Sequence, residues 1–183
     1  CSDAGIPFGA AIWGYHNHLK NKKKLNFLNA YTGTQYELDK TKDLLKKLNI
    51  NYKNYEREII AGKIAEGKII GRCSGKSEYG PRALGNRSIL ADPRSKKIRD
   101  YLNKYVKHRE MFRPFAPAII EEESKNYFDI NYSPYMLQVA KVKKFDKIPS
   151  ASHVDGTARV QTVNIFQNKE FYLLIKEFGK LTK

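Results

Sequence analysis

Arginine forks match phosphate and carboxylate oxygens bidentately, and one short run of this chain carries three of them. The run EYGPRALGNRSILADPR, from Glu78 to Arg94, holds Arg82, Arg87 and Arg94 beside Asn86, Ser88 and the glycines at 80 and 85. Glycine lets a ligand approach the backbone closely, so the segment suits a pocket for a phosphate-bearing anion. The same residue types also suit a solvated turn whose arginines pair with nearby acids. A second cluster, KHREMFRPFAP, runs from Lys107 to Pro117 and places Lys107 and Arg109 two positions apart, on one side of an extended chain. Arg113 sits there on a proline-stiffened stretch. A basic helix end followed by a rigid connection is the plainer reading of this cluster. The third cluster, HVDGTARVQT, spans His153 to Thr162. In it, His153 and Asp155 could orient one another as a general base and its partner do, although Asp-Gly is equally a common turn.

Several standard devices are missing. Gly75-Lys76-Ser77 lacks the upstream glycine of a Walker loop, and neither a GxSxG elbow nor an HExxH helix occurs.

The elements that must position these residues follow from periodicity and turn chemistry. A Gly-containing turn at Asp3 leads into a small-residue helix through Ile12, and the polar stretch from His16 to Gln35 reads as a linker or surface connection. Helices are expected over 39–48 and 58–66, the second stopped by Gly67. A strand at 68–73 runs into the arginine-rich segment, and another covers 88–91. A helix follows from Asp92 to about Val106, with Ile98, Tyr101, Leu102 and Tyr105 inward. Arg113 to Pro117 must be extended, because each proline disfavours helix in the residue before it. Strands at 118–120, 136–142 and 159–164, with helices at 121–128 and 170–178, complete an α+β or mixed α/β domain.

Composition bounds the rest. The chain has 183 residues, enough for one ordinary domain, and 41% hydrophobic residues, as a folded protein does. Thirty-four Lys+Arg against 19 Asp+Glu give +15, which suits an anionic partner. The lysines at 20–24 and 40–47 read as a solvated face, whereas arginine falls mainly in the second half, inside the three clusters. Cys1 and Cys73 have no metal-type spacing, so no disulfide scaffold or zinc site is expected and a reducing compartment fits. The longest apolar run, Ile6 to Trp13, is too short to span a bilayer.

At the three clusters the chain closely resembles the carbamoyltransferases of the nodulation-protein and antibiotic-biosynthesis group. The matching stretches are GKSEYGPRALGNRSILADPR, KHREMFRPFAPAI, SPYM and HVDGTARVQTV, in the family's order, within residues 58–178. The opening CSDAGIPFGAA is similar to the end of the family's large N-terminal domain. The resemblance implies that residues 1–30 close an actin-like carbamoyl-transfer domain with its linker. It implies that residues 31–183 form a YrdC-like domain with a mixed twisted sheet and packed helices, C-terminally incomplete.

The same resemblance implies an ATP-dependent carbamoyltransferase, cytoplasmic, that forms carbamoyl-adenylate from carbamoyl phosphate and ATP. Mg²⁺ would accompany the nucleotide, and the family's own metal site would lie in the N-terminal domain. Arg82, Asn86, Arg87 and Ser88 would grip phosphate groups, with Lys76, Glu78 and Gln161 added to the binding set. Lys107 and Arg109 resemble a Lys-x-Arg element aimed at nucleotide phosphates. Arg113 and Arg159 would supply charge where pyrophosphate leaves, and His153 and Asp155 would position or deprotonate the carbamate. Lys76 stands where the family usually has Arg. An Asn-Thr-Ser-Phe-Asn type segment that the family carries further on is not in the sequence, so this piece is expected to bind anions but turn over poorly. The acceptor, a small molecule or glycan, would be met by the N-terminal domain; no membrane partner is expected. The competing reading is a YrdC-like RNA- or nucleotide-binding module without carbamoyl transfer. Clustering of the arginines in motifs suited to a small ligand weighs against nucleic acid.

Overall fold

A computed structural model of the chain describes residues 5–25 and 29–182. Packing divides the chain into two units, residues up to Asn51 with Cys73–Arg87, and Tyr52–Arg72 with Ser88 onward. Helices and strands intermix in chain order, so the mixed α+β class expected from the sequence is what the structure has.

In the first unit, α1 (Gly5–Trp13) starts on glycine and carries Pro7 in its first turn, where a missing N–H costs nothing. It runs into a π-helical turn over Gly14–His18. Residues 29–36 have no regular secondary structure, but they are not a free linker. Gly33 N–H donates to Ser77 O at 3.0 Å, Ser77 N–H to Thr34 O at 3.0 Å and Tyr79 N–H to Ala30 O at 2.7 Å. α2 (Leu38–Lys47) forms where the leucine spacing places it, yet Leu38, Leu44 and Leu48 lie exposed on its surface.

The second unit begins with α3 (Arg57–Ala65). Its end is a Schellman motif: Gly67, at φ +86°, donates to Ile64 O, and Lys68 donates to Lys63 O. β1 (Ile70–Cys73) pairs with β2 (Arg87–Leu90), and the second unit holds the greater part of each. α4 (Lys96–Tyr101) continues as a π-helical turn over Leu102–Lys107. That change of pitch widens the turn, so the expected inward face does not hold together: Leu102 is buried while Tyr101 and Tyr105 are more than half exposed.

β3 (Ala118–Ile120) falls where the sequence places it. The expected helix at 121–128 is a 3₁₀ turn, Glu121–Glu123, then the short α5 (Ser124–Tyr127), ending where Phe128 turns extended and bridges to Val142. β4 spans Val139–Lys141, β5 Thr157–Arg159 and β6 Gln161–Val163, and α6 (Lys169–Thr182) closes the described chain. The single strand expected at 159–164 is therefore two pieces that serve different ladders. β5 runs antiparallel to β4, with Ala158 opposite Ala140, and β6 runs parallel to β3, with Thr162 opposite Ile119. Among the described residues the strands form three two-stranded ladders.

Strand alternation explains the core of this unit. Ala118 and Ile120 pack with Val163, Phe171 and Tyr172, whereas Ile119 points the other way, toward Phe128, Ala140, Ile148, Ala158 and Val160. Two apolar clusters thus flank the β3–β6 pair, and α3 lies against α6 with Arg57 bonded to Glu170 at 3.2 Å.

Candidate functional site

Gly80 and Gly85 adopt φ of +95° and +109°, a region that residues with a Cβ seldom enter, and the loop between them doubles back on itself. Its backbone N–H groups converge on one internal acceptor. Glu78 Oε1 receives hydrogen bonds from Leu84 N–H at 2.8 Å, Asn86 N–H at 2.7 Å and Arg87 N–H at 3.1 Å. The carboxylate fills the nest that a bound anion would otherwise occupy.

Arg87 is likewise turned to the chain itself. Its guanidinium donates to the carbonyls of Ser74 (2.9 Å), Asn86 (3.0 Å), Gly75 (3.1 Å) and Thr34 (3.1 Å), and it lies over the Tyr36 ring. Buried Asn86 donates through Nδ2 to Lys76 O at 2.8 Å. Tyr31 OH donates to Leu84 O at 2.8 Å, so residues 30–34 brace the loop from one side. Arg82 and Lys76, by contrast, are exposed, and among the described residues their side chains have no hydrogen-bond or ion-pair partner.

In the second unit, buried Asn103 organises the basic loop. Its Nδ2 donates to Met111 O and Arg113 O, its Oδ1 accepts from Arg109 Nε at 2.8 Å, and its carbonyl accepts from Arg109 N–H. Arg109 lies over Phe115 at 4.6 Å, and burial first, then the Arg113 charge, lowers its pKa from the ordinary arginine value. The chain between Lys107 and Arg109 is not extended: His108 is left-handed, at φ 47°, so the two side chains leave a tight turn rather than one face of a strand. Lys107 is exposed without a partner among the described residues, while Arg113 pairs with Glu110 at 3.1 Å.

The second and third clusters are drawn together by the backbone. Phe115 N–H donates to Ser150 O at 3.1 Å, and Gln161 N–H to Pro117 O at 2.9 Å. Gln161 is buried, Arg159 and Ser88 half-buried. His153 sits at the start of a tight turn: its N–H donates to Thr157 O at 2.7 Å and its carbonyl accepts from Gly156 N–H. Asp155 is exposed and bonds within the same turn, accepting from Thr157 N–H at 3.0 Å and Thr157 Oγ1 at 2.7 Å. Those bonds, Thr157's hydroxyl foremost, hold its carboxyl below the usual carboxylate range; the His153 charge contributes less.

The model of the carbamoyltransferase C-terminus matches residues 61–183. The chain belongs to that family. The chain is 45% identical over 191 residues, 98% of its length, to an uncharacterized protein of Methanocaldococcus jannaschii, covering 31% of it. It is 35% identical over 150 residues, 81% of this chain, to the 3'-hydroxymethylcephem-O-carbamoyltransferase of Amycolatopsis lactamdurans, covering 28% of that protein. It is 45% identical over 125 residues, 65% of this chain, to the nodulation protein NolO of Bradyrhizobium diazoefficiens, covering 23% of it. The chain thus spans about a third or less of the curated relatives it matches.

Residue types alone did not single out Asn103, Thr34 or Tyr31 in this chain. Each acts through a backbone carbonyl, or supplies one, and a carbonyl has no signature in a sequence. Among the described residues, no group of three or more His, Cys, Asp or Glu side chains is placed to hold a metal ion. Cys73 is free and exposed, and Cys1 lies outside the described residues. No helix among the described residues is long and apolar enough to cross a membrane.

Proposed function

We propose that this chain is the C-terminal part of a cytoplasmic, ATP-dependent carbamoyltransferase, in which it binds carbamoyl phosphate and ATP and forms carbamoyl-adenylate. The observation that carries the reading is membership of the carbamoyltransferase C-terminus family, joined to 35% identity with a protein named for carbamoyl transfer over 81% of the chain. In the proposed chemistry, carbamoyl phosphate loses its phosphoryl group to water and leaves carbamate. A carbamate oxygen then attacks the α-phosphorus of ATP, and pyrophosphate departs.

The side chains fit distinct parts of that task. Arg82 and Lys76 in the first unit, and Lys107 in the second, are exposed cations able to meet phosphate oxygens. Arg109, Arg113 and Arg159 are assigned to the nucleotide phosphates, with Ser88 and Gln161 as polar contacts. Glu78, Asn86 and Arg87 are assigned to building the loop rather than touching the ligand. His153 is assigned to positioning the carbamate; Asp155, tied to Thr157, is assigned to holding the turn. Mg²⁺ would arrive with the nucleotide, held by phosphate oxygens and water, and would neutralise charge there. Residues 1–30 are assigned to the end of an actin-like domain and residues 31–183 to a YrdC-like domain, with the acceptor, a small molecule or glycan, recognised by the N-terminal domain of the longer protein.

Calorimetry on this chain tests the proposal, with carbamoyl phosphate and Mg-ATP titrated separately and a generic RNA as comparison. Heat with both small ligands and a weak response to RNA is the expected result. No heat with carbamoyl phosphate, together with RNA binding of steep salt dependence, would replace this reading with a nucleic-acid-binding one.

A further inference from the structure

The segment Ala30–Tyr36, polar and aperiodic, is bonded to the arginine-rich loop through Ala30, Tyr31, Gly33 and Thr34. Its backbone exchanges hydrogen bonds with Ser77 and Tyr79, the Tyr31 hydroxyl reaches Leu84 O, and Thr34 O receives the Arg87 guanidinium from 53 positions along the chain. Gly33 is fixed by this packing. A Cβ there would clash with Ser77 Oγ, forcing that hydroxyl to turn away, and would crowd the backbone Ser77 O at 3.1 Å, tighter than most Cβ contacts. The far end of the guanidinium is spent on the same task, since its donors reach Ser74, Asn86, Gly75 and Thr34 carbonyls. Arg82 is left as the exposed arginine of the loop.

We infer that Ala30–Tyr36 is a strap of the anion-binding site, and that Arg87 is a positioning residue whose work is to staple this strap to the loop so that Arg82 is presented to an anion. The inference rests on the proposed function for the nature of the anion, but not for the staple itself. Only a planar fork with several donors at fixed angles can serve those carbonyls at once, so lysine cannot replace Arg87 although it keeps the charge. The strap also gives Gly33 a role in ligand binding without any contact to ligand.

The test combines calorimetry, with carbamoyl phosphate and inorganic pyrophosphate as probes, and hydrogen exchange on the backbone amides of residues 77–87. Arg87→Ala, Arg87→Lys and Gly33→Ala are each expected to weaken binding about tenfold and to raise exchange in the loop. In an Arg82→Ala background Arg87→Ala is expected to add little, because Arg87 acts through Arg82. Additive losses, or rescue by lysine, would instead make Arg87 a direct ligand contact and overturn the inference. Binding unaffected in folded Arg87→Ala and Gly33→Ala variants overturns it as well. If the unaltered chain binds neither probe, the proposed function fails, and the exchange data alone decide the staple: loop amides unchanged in both variants would refute it.

Discussion

Asn103 Oδ1 accepts from Arg109 Nε at 2.8 Å while Asn103 Nδ2 donates to Arg113 O at 2.8 Å, so one fully buried carboxamide fixes both arginines of the second cluster. Removing it strands two carbonyls and a guanidinium donor. Asn103→Ala should lower stability by about 2–3 kcal/mol, each unsatisfied buried group costing about 1–3 kcal/mol before relaxation. Urea unfolding measures it. Asn103→Asp keeps the acceptor for Arg109 but loses the donors, so it should also destabilise; a variant as stable as the parent would show that Arg113 O and Met111 O find water instead.

Glu78 makes a similar test in the first loop. Glu78→Gln retains an acceptor oxygen for the amides of Leu84, Asn86 and Arg87, whereas Glu78→Ala leaves them to solvent. The alanine variant should be less stable than the glutamine variant by about 1–2 kcal/mol. Equal denaturation midpoints for the two would mean that the carboxylate is not organising the loop.

The apolar cluster beneath β3 gives the largest expected loss. Phe128 is 1% exposed and packs with Ala140, Ile148 and Val160. Phe128→Ala should therefore cost about 3–5 kcal/mol, as large-to-small core changes do. A shift in thermal midpoint of less than a few degrees would count against this cluster as a core.

Asp155 carries a pH prediction with a definite sign. Its folded carboxyl titrates below the ordinary carboxylate value, chiefly through Thr157, so its stabilising contribution is present above the unfolded pKa, about 3.9. The contribution is lost as pH falls through the lower, folded pKa. Carboxyl NMR titration should place Asp155 low in the parent and move it upward in Thr157→Ala, with a smaller change in His153→Ala. The reverse order would restore a His153–Asp155 pair.

Much of this architecture was legible because it follows local rules. Ala118–Ile120 reads as a strand from its apolar run between Pro117 and the acidic Glu121–Glu123, and Gly67 reads as a helix stop because only glycine enters the left-handed region cheaply. Leu102 and Tyr105 illustrate the opposite case. Helical spacing placed both inward, but a π-helical pitch rotates Tyr105 out, and hydrophobic period alone does not report pitch. The candidate site was half visible for a related reason. The types of Arg82, Arg87 and Glu78 flagged an anionic chemistry, yet whether each faces a ligand or the chain depends on carbonyls supplied by Thr34, Ser74 and Gly75. Of the two readings of residues 16–35, a linker or a surface connection, the strap at 30–36 is the surface connection, and its backbone pairing with Ser77 and Tyr79 needs no apolar pattern that a sequence would show.

Val160, fully buried, is the single residue between a strand running against β4 and a strand running along β3. No loop separates the two ladders there, so neither can slide without the other. A residue gained or lost at this point would turn Arg159 and Gln161 to opposite faces and shift one ladder's register against the other. A one-residue insertion at this crossing should therefore be far more disruptive than the same insertion in the turns on either side.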